Sequence, residues 1–394
     1  METCVAEGNF KKICIIRAIR SGMFSIPIIV LFFAENGVNL KEAIILQSLF
    51  SVASIFFEVP TGDFADRYGR KLSIILGGGF STLGFFLYSF SHGFYGFLMS
   101  EMILAIGMSF VSGADSALLL DTQKEFRTGS HGIALEGKSR SWGMISEGIT
   151  SLIGGSILAT VSLRLPIYFD AIFSALVILV AFTLVEPKKI TLIKRENTLI
   201  KVWKVMRYSL HDNKEVKSLI YFSAIASAAT LNMVWFIQSY WKLTGISISF
   251  FGLGWAILQL FGALMSHRAH ETEQFFKKRT SFIIIAFTAV IGYFFLGATS
   301  FLWSSIFLIP FYISRGLNEP IVRNYISLSI PSKDMATTFS AKNLMARLIF
   351  AIVGPIMGWV SEAYSLQGAL LVSGVVFGIL GIWSLWQLHK HKVF

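Results

Sequence analysis

The chain reads as a succession of apolar stretches, each about 20 residues long, the length that crosses a bilayer as a helix. Twelve such stretches fall at 13–34, 42–62, 72–91, 95–120, 141–162, 165–185, 217–240, 247–266, 281–299, 301–325, 336–360 and 366–387. The longest polar stretch divides them six and six. The pattern predicts an all-α membrane protein with twelve transmembrane helices in two pseudo-symmetric six-helix bundles. Residues 1–185 form the N-terminal bundle, 186–216 a cytoplasmic linker and 217–394 the C-terminal bundle. Within the linker, Val202, Trp203, Val205, Met206 and Leu210 recur at near-helical spacing. That spacing predicts a helix lying on the inner membrane surface.

Composition agrees with this pattern. Of 394 residues, 54% are hydrophobic and 14% charged, where soluble domains carry about 25% charged residues. Phe (37) and Gly (33) are abundant, as expected for lipid-facing rings and close helix approach. Cys4 and Cys14 are too few for a disulfide framework. The first apolar run is longer than a signal-peptide core, so it reads as a retained span.

A net charge of +11 would point to nucleic acid in a soluble chain. Here the placement of the charges explains it. With the N-terminus inside, nearly all loop Lys and Arg fall on the inner side. Lys41, Arg164 and Lys242 are the outside exceptions. This asymmetry predicts a cytoplasmic (inner) membrane protein with both termini cytoplasmic, and no nucleic-acid partner.

The halves repeat. Gly62 and Gly262 each end an even-numbered span before a basic loop. Leu152-Ile153-Gly154 matches Ile352-Val353-Gly354 at the same offset. Gly113-Ala114-Asp115 aligns with Gly316-Leu317-Asn318, and Asp121 with Asn324. Two related six-helix halves around a central site are a common carrier plan.

Between spans 2 and 3 stands Gly62-Asp63-Phe64-Ala65-Asp66-Arg67-Tyr68-Gly69-Arg70-Lys71. Gly62 would let span 2 approach a neighbour, and Gly69 would allow a tight turn. Asp66 could sit at a helix N-terminus, and Arg70 could form a bidentate pair with a carboxylate such as Asp121. The stretch resembles the signature loop of the major facilitator superfamily, Gly-x-x-x-Asp-Arg-x-Gly-Arg-Lys. The resemblance covers the whole chain. It implies a secondary transporter working by alternating access, with Gly62, Asp66, Arg67, Gly69, Arg70 and Asp121 forming a cytoplasmic gate. It also implies that Asp66 faces the start of span 11, and that spans 1, 4, 7 and 10 line the cavity. In the second half the equivalent loop is degenerate, with Ser266 where Asp66 would be.

The Phe57–Gly62 stretch, with Ser112 through Asp115 and Asp121-Thr122, resembles a bacterial branch beside the drug exporters. One departure is clear. Drug antiporters carry Gly-Pro-x-x-Gly in span 5, whereas here Gly354-Pro355-Ile356-Met357-Gly358 lies in span 11 and span 5 has Gly154-Gly155-Ser156.

Ionisable side chains within spans cost roughly 2.5–3.5 kcal/mol each on insertion scales, so they are functional candidates. Asp115 is the first choice for a proton carrier, a fixed pair with Arg20 being the alternative, and Glu58 and Glu147 are further choices. Glu101, near the outer end of span 4, is expected to be solvated. Arg17 is expected to snorkel to the inner surface, and Arg20, a turn deeper, to face the cavity. Arg315, Glu319 and Arg323 form a stripe on span 10, where Pro320 is expected to kink the helix. Lys342 and Arg347 add positive charge from span 11. Asn232, Trp235 and Gln238 on span 7 combine rings and amides suited to an amphipathic organic cargo. Arg20, Asn232, Trp235, Gln238, Arg315 and Glu319 are therefore the candidate substrate contacts.

Enzyme classes fare poorly: the chain lacks His-Glu-x-x-His, Gly-x-Ser-x-Gly and a Walker sequence. A channel is disfavoured by the six-helix repeat. No cofactor or metal is expected. The expected partners are a small-molecule substrate, protons and the lipid bilayer, with the protein a monomer. Proton-coupled efflux of an amphipathic compound leads; proton-coupled uptake of a metabolite or siderophore is the alternative.

Overall fold

A computed structural model describes residues 2–115, 117, 118, 122, 132–186, 207, 211, 213–330 and 335–393. Among these the secondary structure is helical throughout, without strands. Among the described residues, ten helices are long and apolar enough to cross a membrane. A divided first span and a charge-bearing tenth (Ile309–Ser329) complete the twelve of the two-bundle fold. Asp121 and most of the linker, including Val202, Trp203, Val205, Met206 and Leu210, lie outside the described residues.

The lipid-facing surface is written in side chains that water would not tolerate. Phe56, Ile157, Ile172, Leu179, Phe182, Ile379 and Ile382 are all well exposed. Exposed apolar side chains in this number suit a bilayer rather than water.

Contact clustering divides the chain into two compact units. The first contains Met1–Val38, Leu49–Lys194 and the short piece Ile248–Ala256. The second contains Asn39–Ser48, Arg195–Ser247 and Ile257–Phe394. Each unit therefore includes the opening turns of one span whose remainder belongs to the other. Inside the first unit, Gly252 packs on Gly155 so closely that a Cβ on either would meet backbone at 2.8 Å or less. Inside the second, Gly358 lies against Lys41, and Gly354 against Ile44.

Several spans depart from a plain helix. Span 1 is two helices, Glu2–Ser21 and Ile29–Glu35. Pro27 lacks a backbone donor and disfavours helical geometry in the residue before it. Span 5 continues from Gly132–Ile153 into a π-helical turn, Gly154–Leu158. Span 4 ends as a regular helix at Val111, and Gly113 follows with φ +80°. Span 9, Ala269–Ala298, is two helices joined across Lys277, whose φ/ψ are 63°/163°. Span 10 stays helical through Pro320.

Span 2 is longer than its apolar core, running from Leu40 to Tyr68. Most of the signature loop is thus the last turns of a helix. Gly69 alone, at φ +119°, separates it from span 3 at Arg70.

Candidate functional site

In the first unit, three charges from spans 1 and 4 converge. Arg17 Nε donates to Asp115 Oδ2 at 2.8 Å, and Arg20 Nη1 lies 3.5 Å from the same oxygen. Arg17 and Asp115 are 7% and 5% exposed. Arg17 does not snorkel. Its helix begins at Glu2, well before the apolar run, which carries Arg17 into the packed interior. Asp115 is paired with both arginines rather than with Arg20 alone. Paired charges of this kind survive in a low-dielectric setting because each neutralises the other.

Glu101 is also a correction. It is 4% exposed and accepts a hydrogen bond from Tyr88 Oη at 3.2 Å, so it is sheltered by span 3 rather than solvated. Glu147 accepts from Trp255 Nε1 at 3.4 Å. Glu58 is half-buried on span 2.

The largest omission from the sequence reading is Asp170 on span 6. It is 3% exposed. Its Oδ1 accepts from Phe24 N at 2.7 Å and its Oδ2 from Ser25 N at 3.1 Å, both in the break of span 1. The signal was present: a carboxylate within an apolar run is costly unless bonded.

At one end of the same unit, the signature residues make local pairs. Asp66 pairs with Arg70 at 2.5 Å, and Asp63 with Arg67 at 2.6 Å, each one helical turn apart. Glu186, just after span 6, caps span 3. Its oxygens accept from Arg70 N at 2.8 Å and Lys71 N at 2.6 Å. A Cβ at Gly69 would lie 3.3 Å from this carboxylate, in addition to its unfavourable φ. Gly62 departs from expectation, since a Cβ there would meet nothing within 4 Å. The counterpart Gly262 does take part in a close approach: its carbonyl would lie 2.5 Å from a Cβ on Gly316 of span 10.

In the second unit, Glu319 of span 10 bonds Lys342 of span 11. Lys342 is 1% exposed. Arg323 lies over the Phe339 ring at 4.5 Å and Arg315 over Tyr312 at 5.9 Å. Asn232 donates to Tyr293 Oη at 3.1 Å and Ser373 Oγ at 3.4 Å, tying span 7 to spans 9 and 12. Trp235 and Gln238 are buried on the same helix. Among the described residues no His, Cys, Asp or Glu cluster could hold a metal.

Comparison with known proteins gives this arrangement its family. The Major Facilitator Superfamily profile matches residues 13–355. The uncharacterized MFS-type transporter YxaM of Bacillus subtilis (strain 168) is 25% identical over 381 residues, covering 93% of this chain and 92% of that protein. The quinolone resistance protein NorA of Staphylococcus aureus (strain Mu50 / ATCC 700699) is 22% identical over 314 residues, covering 77% of this chain and 76% of NorA. Among solved structures, the nucleoside transporter NupG superposes with TM-score 0.74 at 14% identity, over 100% of this chain and 99% of that one. With its signature turn, its twelve spans and this match, the chain belongs to the major facilitator superfamily: a multi-pass membrane transporter of small molecules, not an enzyme.

Proposed function

We propose that this protein couples proton movement to export of an amphipathic organic compound across the cytoplasmic membrane, acting as a monomer with both termini in the cytoplasm. The observation that carries the reading is the buried Arg17–Asp115–Arg20 cluster. A carboxylate between two cations stays ionised; once either cation moves away, desolvation favours its protonation. Rearrangement of spans 1 and 4 during alternating access is thereby linked to proton exchange at Asp115. Glu58 and Glu147 are secondary carriers. Residues 1–185 and 217–394 act as the moving bundles, joined by the 186–216 linker.

In this reading Arg20, Asn232, Trp235, Gln238, Arg315 and Glu319 form or brace the cargo site. Gly62, Asp66, Arg67, Gly69, Arg70 and Asp121 form the cytoplasmic gate. Exposed pairs one turn apart contribute about 0.3–0.5 kcal/mol each. The Asp66–Arg70 and Asp63–Arg67 pairs therefore exchange partners at little cost.

Similarity to NorA supports the outward direction. The Gly-Pro-x-x-Gly sequence lying in span 11 instead of span 5 counts against that direction, and uptake of a metabolite or siderophore is the alternative. The test is a panel of amphipathic cations and zwitterions in proteoliposomes with an imposed pH gradient. Export by proton exchange predicts accumulation in the acidic lumen that collapses with a protonophore. Flux that ignores the gradient for every transported compound would contradict it.

A further inference from the structure

The break in span 1 is built as a node. Residues 22–28 leave the helix between Ser21 and Ile29. In a bilayer interior, backbone donors released by such a break must be satisfied within the protein. Two consecutive ones, Phe24 N and Ser25 N, are both taken by Asp170. The π-turn of span 5 meets the same point: a Cβ on Gly154 would lie 2.0 Å from the Phe24 carbonyl oxygen. Two irregular helices and a buried carboxylate thus converge on Phe24. π-turns frequently fall at functional sites, and broken spans commonly form the binding sites of transporters.

A small cavity opens onto this node. It has a volume of about 30 Å³ and is lined by Arg20, Gly22, Ser81, Ser174 and Asp170. That exceeds the roughly 10–15 Å³ one water needs, so a proton donor fits beside the carboxylate. Among the described residues, the charged and titratable groups facing Asp170 are few. Arg20 of span 1 shares the cavity. Tyr88 of span 3 feels the carboxylate's charge, with Glu101 of span 4 behind it. The segment of span 5 packed on span 6, Gly154–Val161, carries no titratable side chain.

We infer that Asp170 is a second protonatable site, whose ionised form holds span 1 broken at Phe24–Ser25 and whose protonation releases that segment. A carboxylate offers both oxygens as acceptors. A carboxylic acid keeps one good acceptor and turns the other into a donor, which cannot face a backbone N–H. Binding a proton therefore removes one of the two clasps. Conversely, any movement that lets Phe24 and Ser25 donate along a continuous helix frees Asp170 to take up a proton. Asp170 acts through the backbone of span 1 and is a positioning residue. This inference deepens the proton-coupled reading but does not require Asp115 to be the carrier.

The test is hydrogen–deuterium exchange of residues 22–28 in nanodiscs from about pH 5 to about pH 9, corrected for intrinsic exchange, for wild type, Asp170→Asn and Asp170→Glu. In wild type, exchange of this segment should rise about ten- to hundredfold at the acidic end, the factor expected for losing a hydrogen bond to a charged acceptor. Asp170→Asn should exchange fast at every pH, and Asp170→Glu should restore a pH-dependent profile. A purely structural Asp170 would give a wild-type profile flat in pH, which overturns the inference whether or not the variants fold. The same pH dependence in Asp170→Asn as in wild type would overturn it too. Asp115→Asn should keep the exchange profile pH-dependent, even if its midpoint moves through Arg20, so failure of the Asp115 assignment and failure at Asp170 are separately visible.

Discussion

Arg17 and Asp115 are 98 positions apart in sequence, yet they form a buried ion pair at 2.8 Å. Hydropathy identified both as costly intramembrane charges, but it could not pair them. Partner choice depends on helix rotation, which an almost uniformly apolar run does not encode. The same limit explains Glu101, whose shelter by Tyr88 comes from a neighbouring span. Asp170 is different, because the rule that singled out Asp115 applies to it equally and its omission was avoidable. Just after the last helix of the second unit, His391 offers a test of local electrostatics. Its Nδ1 sits 2.7 Å from Ser218 Oγ. Burial, then Lys390, Lys214 and Lys217, push its pKa below the usual histidine value. The folded state therefore prefers neutral His391. That contribution is full above about pH 6.5 and is lost as pH falls below it through the folded pKa. Thermal melts should show wild type losing more stability than His391→Gln between about pH 7.5 and about pH 5; equal losses would contradict this.

At the scale of elements, the twelve spans were legible because length and apolarity alone define a membrane helix. Their irregularities were not. Ser25-Ile26-Pro27 marks the break in span 1, since proline both lacks a donor and restricts its predecessor, but an unbroken apolar run hides it. The π-turn of span 5 has only Gly154-Gly155 as a signal. The signature stretch was legible in residue type and misleading in shape, because its loop is a helix end closed by Gly69 and capped by Glu186. Gly154 gives the sharpest packing test. Its Cβ would strike backbone, which cannot swing aside, whereas Gly148 faces open space. Gly154→Ala should cost about 1–3 kcal/mol or more, read as a clear drop in melting temperature. Gly148→Ala should melt like wild type. Equal behaviour of the two variants would show that the span 1–span 5 contact yields easily.

At the scale of the whole molecule, the polar stretch at 186–216 and the repeated glycines made a two-bundle transporter readable from sequence. They did not reveal that Asn39–Ser48 cluster with the second unit and Ile248–Ala256 with the first. That assignment follows from close contacts at Gly155–Gly252 and Gly358–Lys41, which no span pattern contains. Cargo is unreadable for a related reason: recognition depends on side chains from several spans converging, and each span alone looks like packing, as Asn232 does between Tyr293 and Ser373. What the molecule does show is a buried carboxylate, Asp115, paired with two arginines carried by a different span. The most direct measurement compares wild type and Asp115→Asn in proteoliposomes, using a substrate found in the gradient screen and recording both gradient-driven flux and substrate counterflow. Loss of gradient-driven flux to the protein-free background, with counterflow preserved, is the predicted result. Full gradient-driven transport by Asp115→Asn would contradict it.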